Sequence, residues 1–132
     1  MNIGYGEDNT YNLIKDGLKA SNLRAKAIAN NMANINTKDY KKFNVVFEEN
    51  LQKDSNSELE LKRTNDAHFS ADDEQSGNIS IEQEKGTSMK ADGNNVDLDI
   101  EKVNQAANTL KYNALITSIN HQFSDMKMVM NK

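Results

Sequence analysis

The chain has 132 residues, 6% of them aromatic, with no Trp, no Pro and no Cys, and its mean hydropathy is −0.82. That is one domain's length with material for only a small core of its own, and it excludes disulfides and thiolate chemistry. The net charge of −4 is divided as +3, −7 and 0 over residues 1–42, 43–96 and 97–132, and an acidic middle argues against nucleic acid, whose phosphates need clustered positive charge.

The apolar residues gather in two amphipathic stretches, Tyr11–Ile35 and Asp97–Met130, on either side of a polar interior. In the first, Ile14, Leu18, Ser21, Ala25, Ile28, Met32 and Ile35 recur at alternating spacings of four and three. That spacing predicts a helix with a heptad seam, and Ala20, Ala27, Ala29 and Ala33 beside it allow close helix approach. The helix then meets Asn30, Asn31, Asn34 and Asn36. Asn is poor for helix continuation but tolerates left-handed backbone and bonds to nearby backbone groups, so this segment predicts a helix end. Its density of amides also suits bonding across an interface.

Beyond the turn, Tyr40–Phe47 is aromatic and β-branched, which predicts a short extended arm. Lys38, Lys41 and Lys42 there read as a solvated turn. Residues 50–95 are polar, with apolar alternation at Leu59–Leu61 and Ile79–Ile81 that suits short half-buried strands, and an exposed loop expected at Ser70–Gly77. This stretch is expected to be either a small β-containing insertion or partly disordered. The second helix is expected near Asp97, since Asp97, Asp99 and Glu101 crowd its positive end and Gly93-Asn94-Asn95 upstream is turn chemistry. Two seams run along it. Val96, Ile100, Val103, Ala107, Leu110 and Ala114 form one, and Tyr112, Ile116, Ile119, Phe123, Met126 and Met130 form the other. A helix apolar on two faces is expected to sit between neighbours. The fold class is therefore mainly α: terminal helices from residues 1–49 and 96–132 pairing as a coiled coil in one domain, with residues 50–95 as the insertion.

Catalysis has little support. His68 and His121 come with no zinc-protease motif, Cys pair or Gly-rich phosphate loop, and neither Asp72–Glu74 nor Asp92–Asp97 has the spacing of an EF-hand calcium loop. No catalytic residue, cofactor site or metal site is expected, nor a small-molecule substrate. No apolar run approaches the roughly 20 residues of a membrane span, and no charged-then-apolar secretory signal opens the chain.

The run Ala29-Asn-Asn-Met-Ala-Asn-Ile-Asn-Thr37, followed by Tyr40, resembles the N-terminal signature of flagellar rod and hook axial proteins. The run Glu84–Glu101, with Asn95-Val96-Asp97-Leu98-Asp99 at its heart and Leu110-Lys-Tyr112 after it, is similar to the C-terminal signature of the short proximal-rod members. Both ends and about half the chain carry the likeness. The family's Thr-Pro-Gly-Tyr turn is here Thr37-Lys38-Asp39-Tyr40. The loss of Gly calls for another residue that accepts positive φ, a role Asp can partly fill.

The resemblance implies a structural subunit of the flagellar basal-body rod, outside the inner membrane and required for motility. It would be exported unfolded through the flagellar type III apparatus with no cleavable signal. Its partners would be other copies of itself, other rod proteins, proteins at the junction of membrane ring and rod, and the export gate, which would read Phe47 to Leu51 or the overlapping Phe43–Phe47. Ile14, Leu18, Ala25, Ile28, Met32 and Ile35 would pack against Val103, Ala107, Leu110 and Ala114, within or between subunits. Ile116, Ile119, Phe123 and Met126 would face another neighbour. Asn30, Asn31 and Asn34 would help fix the turn and interface. Two rivals share the helical character: another rod subunit, and a soluble helical adaptor or export chaperone that holds a client on its apolar face.

Overall fold

The computed structural model describes residues 5–56, 79–86, 88 and 90–130. Two long helices, α1 (Tyr5–Ala33) and α3 (Leu98–Met130), enclose a short strand β1 (Phe43–Val46), a helix α2 (Glu48–Asn56) and a second strand β2 (Ser80–Gln83). The long helices run antiparallel. Asn31 meets Glu101 at one end, Ser21 meets Asn108 and Gly17 meets Leu115 along the middle, and Tyr11 meets Phe123 further out, with ring centroids 6.1 Å apart. β1 and β2 pair antiparallel, Phe43 opposite Gln83 and Val46 opposite Ser80. They close the joint end of this helical hairpin.

Local chemistry explains the boundaries. Asp97 caps α3 by accepting from the backbone N–H of Asp99 at 2.9 Å and of Ile100 at 3.3 Å, which satisfies donors the helix itself leaves open. α1 ends at Ala33, where the Asn34 side chain donates back to the Asn30 carbonyl at 2.8 Å and accepts from the Thr37 hydroxyl at 3.1 Å. Asp39 then takes a left-handed φ of 57°, the conformation the family's Gly would supply. Gly17 has no Cβ to keep the helices apart; one added there would sit 3.3 Å from Leu115 Cδ1.

α2 was not foreseen by the hydrophobic pattern. It starts with Glu48 and Glu49, which favour the positive end of its dipole. Glu48 also pins it to both long helices, pairing with Arg24 of α1 at 2.8 Å and with Lys111 of α3. The strand foreseen at Ile79–Ile81 is found as Ser80–Gln83, whereas Leu59–Leu61, Ser70–Gly77, His68 and Asp72–Glu74 lie outside the described residues.

The core is unusual in kind. Among the described residues the buried apolar side chains are Ala20, Ile28, Val45, Phe47 and Val96, and the buried polar ones are Ser21, Asn31, Asn94, Glu101 and Asn108. The buried polar groups are hydrogen-bonded across the hairpin, so their geometry adds directional constraint to the apolar burial.

Partial burial alone would raise the Glu48 carboxyl, but hydrogen bonds from Lys111, its own backbone N–H and Arg24 outweigh it and push it down to about 2, below its usual 4.5. A carboxyl lowered on folding contributes stability that is present above about pH 4.5 and lost as pH falls towards 2. Because the side chain is 43% exposed, solvent screening keeps this contribution below ~1 kcal/mol. Urea midpoints should therefore fall through that acid window, and Glu48→Gln should flatten part of the fall. Parallel acid profiles for the two proteins would contradict the clamp.

Candidate functional site

The two sequence signatures meet at the joint, where buried amides bridge them. The Asn31 side chain is enclosed by α1, β1 and α3. Its Oδ1 accepts from the Phe43 backbone N–H at 2.9 Å and the Tyr40 hydroxyl at 3.1 Å, and its Nδ2 donates to the Phe43 carbonyl at 2.9 Å and to Glu101 Oε2 at 3.3 Å. Asn94 does the same from the other signature. Its Nδ2 lies 2.9, 3.0 and 2.8 Å from the carbonyls of Asn34, Ile35 and Thr37 in the turn that follows α1. Its Oδ1 accepts from the Val96 backbone N–H at 2.8 Å.

Neighbouring residues complete the joint. Asn95 Oδ1 accepts from the Lys42 backbone N–H at 2.7 Å, and the Asp39 N–H donates to the Asp92 carbonyl at 2.9 Å. Gly93, at φ 78°, lies so close to Asp39 that a Cβ there would collide with its carboxylate. The Asn30 side chain reaches the Tyr40 hydroxyl at 3.4 Å. Burial, aided by the Glu101 carboxylate, raises the Tyr40 hydroxyl above its usual 10.0, which keeps it a donor to Asn31. Of the motif residues named from sequence, Asn30, Asn31, Asn34, Thr37, Tyr40, Asn95, Val96 and Asp97 converge here, while Leu98 and Asp99 point to solvent.

From the joint outward, the face of α3 that meets α1 includes a line spaced by seven: Glu101, Asn108, Leu115 and Gln122. Three of the four are polar. The Ser21 hydroxyl donates to Asn108 Oδ1, and Asn108 Nδ2 donates to the Ser21 carbonyl, both at 2.9 Å. Gln122 keeps a buried Oε1 with no partner among the described residues.

This line bears on one of the two packings expected from sequence, the one within a single subunit. Within one chain the first α3 seam does not cover α1: Val103 is 68% and Leu110 74% exposed, and Ala107 and Ala114 also face solvent. On α1, Ile28 is buried and Ile14, Leu18, Met32 and Ile35 are half-buried, but Ala25 is exposed. The part of α3 that leans on α1 comes from the second seam, through half-buried Ile116 and Ile119 and through Phe123 against Tyr11, while Met126 is exposed. The reason is rotational. Turning α3 to bury its first seam would withdraw Glu101 and Asn108 from their partners on α1. Phe47 is buried beside α1, Leu51 is half-buried one turn into α2, and His121 is exposed. Sequence reading passed over Asn94, Asn108 and Glu101 as site residues, because a search for apolar periodicity does not register polar residues spaced by seven.

An antiparallel pair of terminal helices, closed by an asparagine joint and presenting its most continuous apolar stripe outward, defines a mainly α-helical hairpin protein. No family model matches the chain. It is 37% identical over 117 residues to the flagellar basal body rod protein FlgB of Bacillus subtilis (strain 168), covering 89% of each chain. It is 33% identical over 121 residues to the FlgB of Borrelia hermsii, covering 85% of this chain and 88% of that one. The FlgB of Buchnera aphidicola subsp. Baizongia pistaciae (strain Bp) matches over 129 residues at 28% identity, covering 93% and 95%. The chain belongs to the flagellar basal body rod protein FlgB family.

Asn94→Asp tests the joint. The variant keeps the acceptor for Val96 but removes the amide donors and sets a carboxylate against three carbonyls. It should lose about 1–3 kcal/mol in urea unfolding. A loss within ~0.5 kcal/mol, the range of ordinary surface substitutions, would mean that the joint does not hold the hairpin closed.

Proposed function

We propose that the chain is a self-assembling structural subunit of the proximal rod of the bacterial flagellum, required for motility. It assembles with further copies of itself and with other rod proteins, and at the base with proteins of the membrane-ring junction. One observation carries this reading: the stripe Ile100, Val103, Ala107, Leu110 and Ala114 lies in solvent while polar residues occupy the inside of the same helix. A monomer evolved to stand alone would present the opposite arrangement, since burying apolar surface is the main favourable term in folding and association. Neighbouring subunits would cover this stripe. The exposed remainder of the other seams, Ala25 on α1 and Met126 on α3 among them, would face further neighbours.

Rod assembly lies outside the inner membrane, and no described helix is long and apolar enough to cross a membrane. Export in an unfolded state through the flagellar type III gate would suit the placing of Phe47, which is buried in the folded chain. The role is one of packing and symmetry, and no catalytic step is assigned to any residue.

Leu110→Asp is the direct test, because an exposed helical position accepts the charge without harm to the fold. The variant should keep its circular dichroism and expression level but disappear from purified hook–basal bodies, and cells that depend on it should not swim. Normal incorporation with normal motility would remove the stripe from the account. Wild-type protein retained in the cytoplasm on a soluble client would favour an adaptor or export chaperone instead.

A further inference from the structure

α2 is pinned to both long helices, yet little in its own sequence sustains it. Its nine residues include a single apolar side chain, Leu51, and a helix that short is marginal in water without packing. Phe47, which precedes it, carries no side-chain acceptor for the open N–H groups of the first turn. What fastens α2 lies at its start. The buried Phe47 ring closes on the gap that Gly17 leaves in α1, where Leu115 of α3 also enters. Next to it, Glu48 pairs with Arg24 at 2.8 Å and with Lys111, and one turn on the Asn50 amide donates to the Ser80 hydroxyl at 3.2 Å. We propose that α2 is a strap that opens and closes on the hairpin while the joint stays shut, with Glu48 as its ionic latch.

Three observations assign the motion to α2 rather than to the whole hairpin. The bonds of the joint are made by Asn31, Asn94 and Asn95 to partners outside residues 47–56, so the strap can lift without breaking one of them. β1 is held independently, by Asn31 at Phe43, by Arg24 at the Val45 carbonyl and by its pairing with β2, which sets the hinge after Val46. The latch strands nothing when it parts: Arg24 keeps the Val45 carbonyl at 3.3 Å, and Lys111, whose side chain is 50% exposed, returns to water. Segments with few buried apolar contacts are the ones that open below the global unfolding free energy. Exposed ion pairs weaken as dissolved ions screen them, so the ratio of closed to open strap should follow ionic strength. Opening withdraws Phe47 and uncovers the apolar gap at Gly17 and Leu115. The device belongs to the single chain and holds whether or not the rod-subunit reading does.

Amide exchange of the dilute full-length chain, read at the backbone N–H groups of Leu51 and Gln52 against those of Phe43 and Val96, tests the strap. The α2 amides should be less protected than the joint amides. Raising the salt from about 0.05 M to about 1 M should speed their exchange about two- to fivefold relative to the joint. Glu48→Gln, a change at a side chain 43% exposed, should keep the circular dichroism of the long helices. It should give the faster α2 exchange already at low salt, with no further response to added salt. Protection of Leu51 and Gln52 equal to that of the joint would overturn the proposal, because α2 would then open only with the whole hairpin. Unequal protection that neither salt nor Glu48→Gln alters would overturn the latch, and equal acceleration of strap and joint would mean that Glu48 serves the hairpin as a whole.

Discussion

A side-chain amide that leaves water must replace every bond that water gave it, and Asn31 and Asn94 do so in part with partners that are in reach only when the hairpin is closed. Asn94 depends on carbonyls in the turn that follows α1, about 60 residues away in the chain, and Asn31 depends on Glu101 of α3. Each amide is therefore a local group with a long-range requirement. If either half of the joint is displaced, several buried polar groups lose their partners at once. That cost makes the closed arrangement specific even though the apolar core is small. The positions of β1, α2 and β2 follow from it, since the strand pair leaves the joint directly and α2 is pinned across both helices by Glu48.

The same requirement sets the rotation of α3. With Glu101 and Asn108 committed to α1, the rest of the helix surface is determined, and the richest heptad seam must face away. Buried polar pairs in helix seams are best attested as devices that fix register at a cost in stability. Here they fix register and also direct the apolar surface to where another subunit would meet it. A hairpin with polar residues turned inward along α3 and an apolar stripe turned outward would gain stability on assembly, which suits a chain proposed to cross an export channel unfolded and to build a structure beyond it.

Much of this was legible beforehand. The terminal helices were marked by apolar spacing and by the acids Asp97, Asp99 and Glu101 crowding the start of the second, and β1 by its aromatic and β-branched run. The Asn-rich segment was marked by chemistry that only a turn or an interface uses. The left-handed Asp39 could be anticipated from the family's Gly at that place, because the backbone requirement outlives the residue that usually meets it. Other features were not legible. α2 lacks a long apolar period and owes its start to acidic residues whose cationic partners are distant in sequence. Whether an apolar seam turns inward depends on where Asn108 and Glu101 find partners, and those partners are residues whose proximity only the closed chain establishes. Periodicity marks a face as apolar but does not say whether it meets its own chain or a neighbour.

The central claim is that the hairpin is secured at its joint and completed by neighbours along α3. Residue-resolved amide exchange of the dilute, isolated chain tests it most directly, because protection reports local opening free energies. The account predicts the highest protection at the backbone N–H groups of Phe43, Val96 and Glu101, with protection falling steadily along α3 beyond Asn108 and becoming low near Met126. Uniform, strong protection along the whole of α3 in the dilute monomer would contradict it, because the chain would then be a self-sufficient domain with no need of other copies.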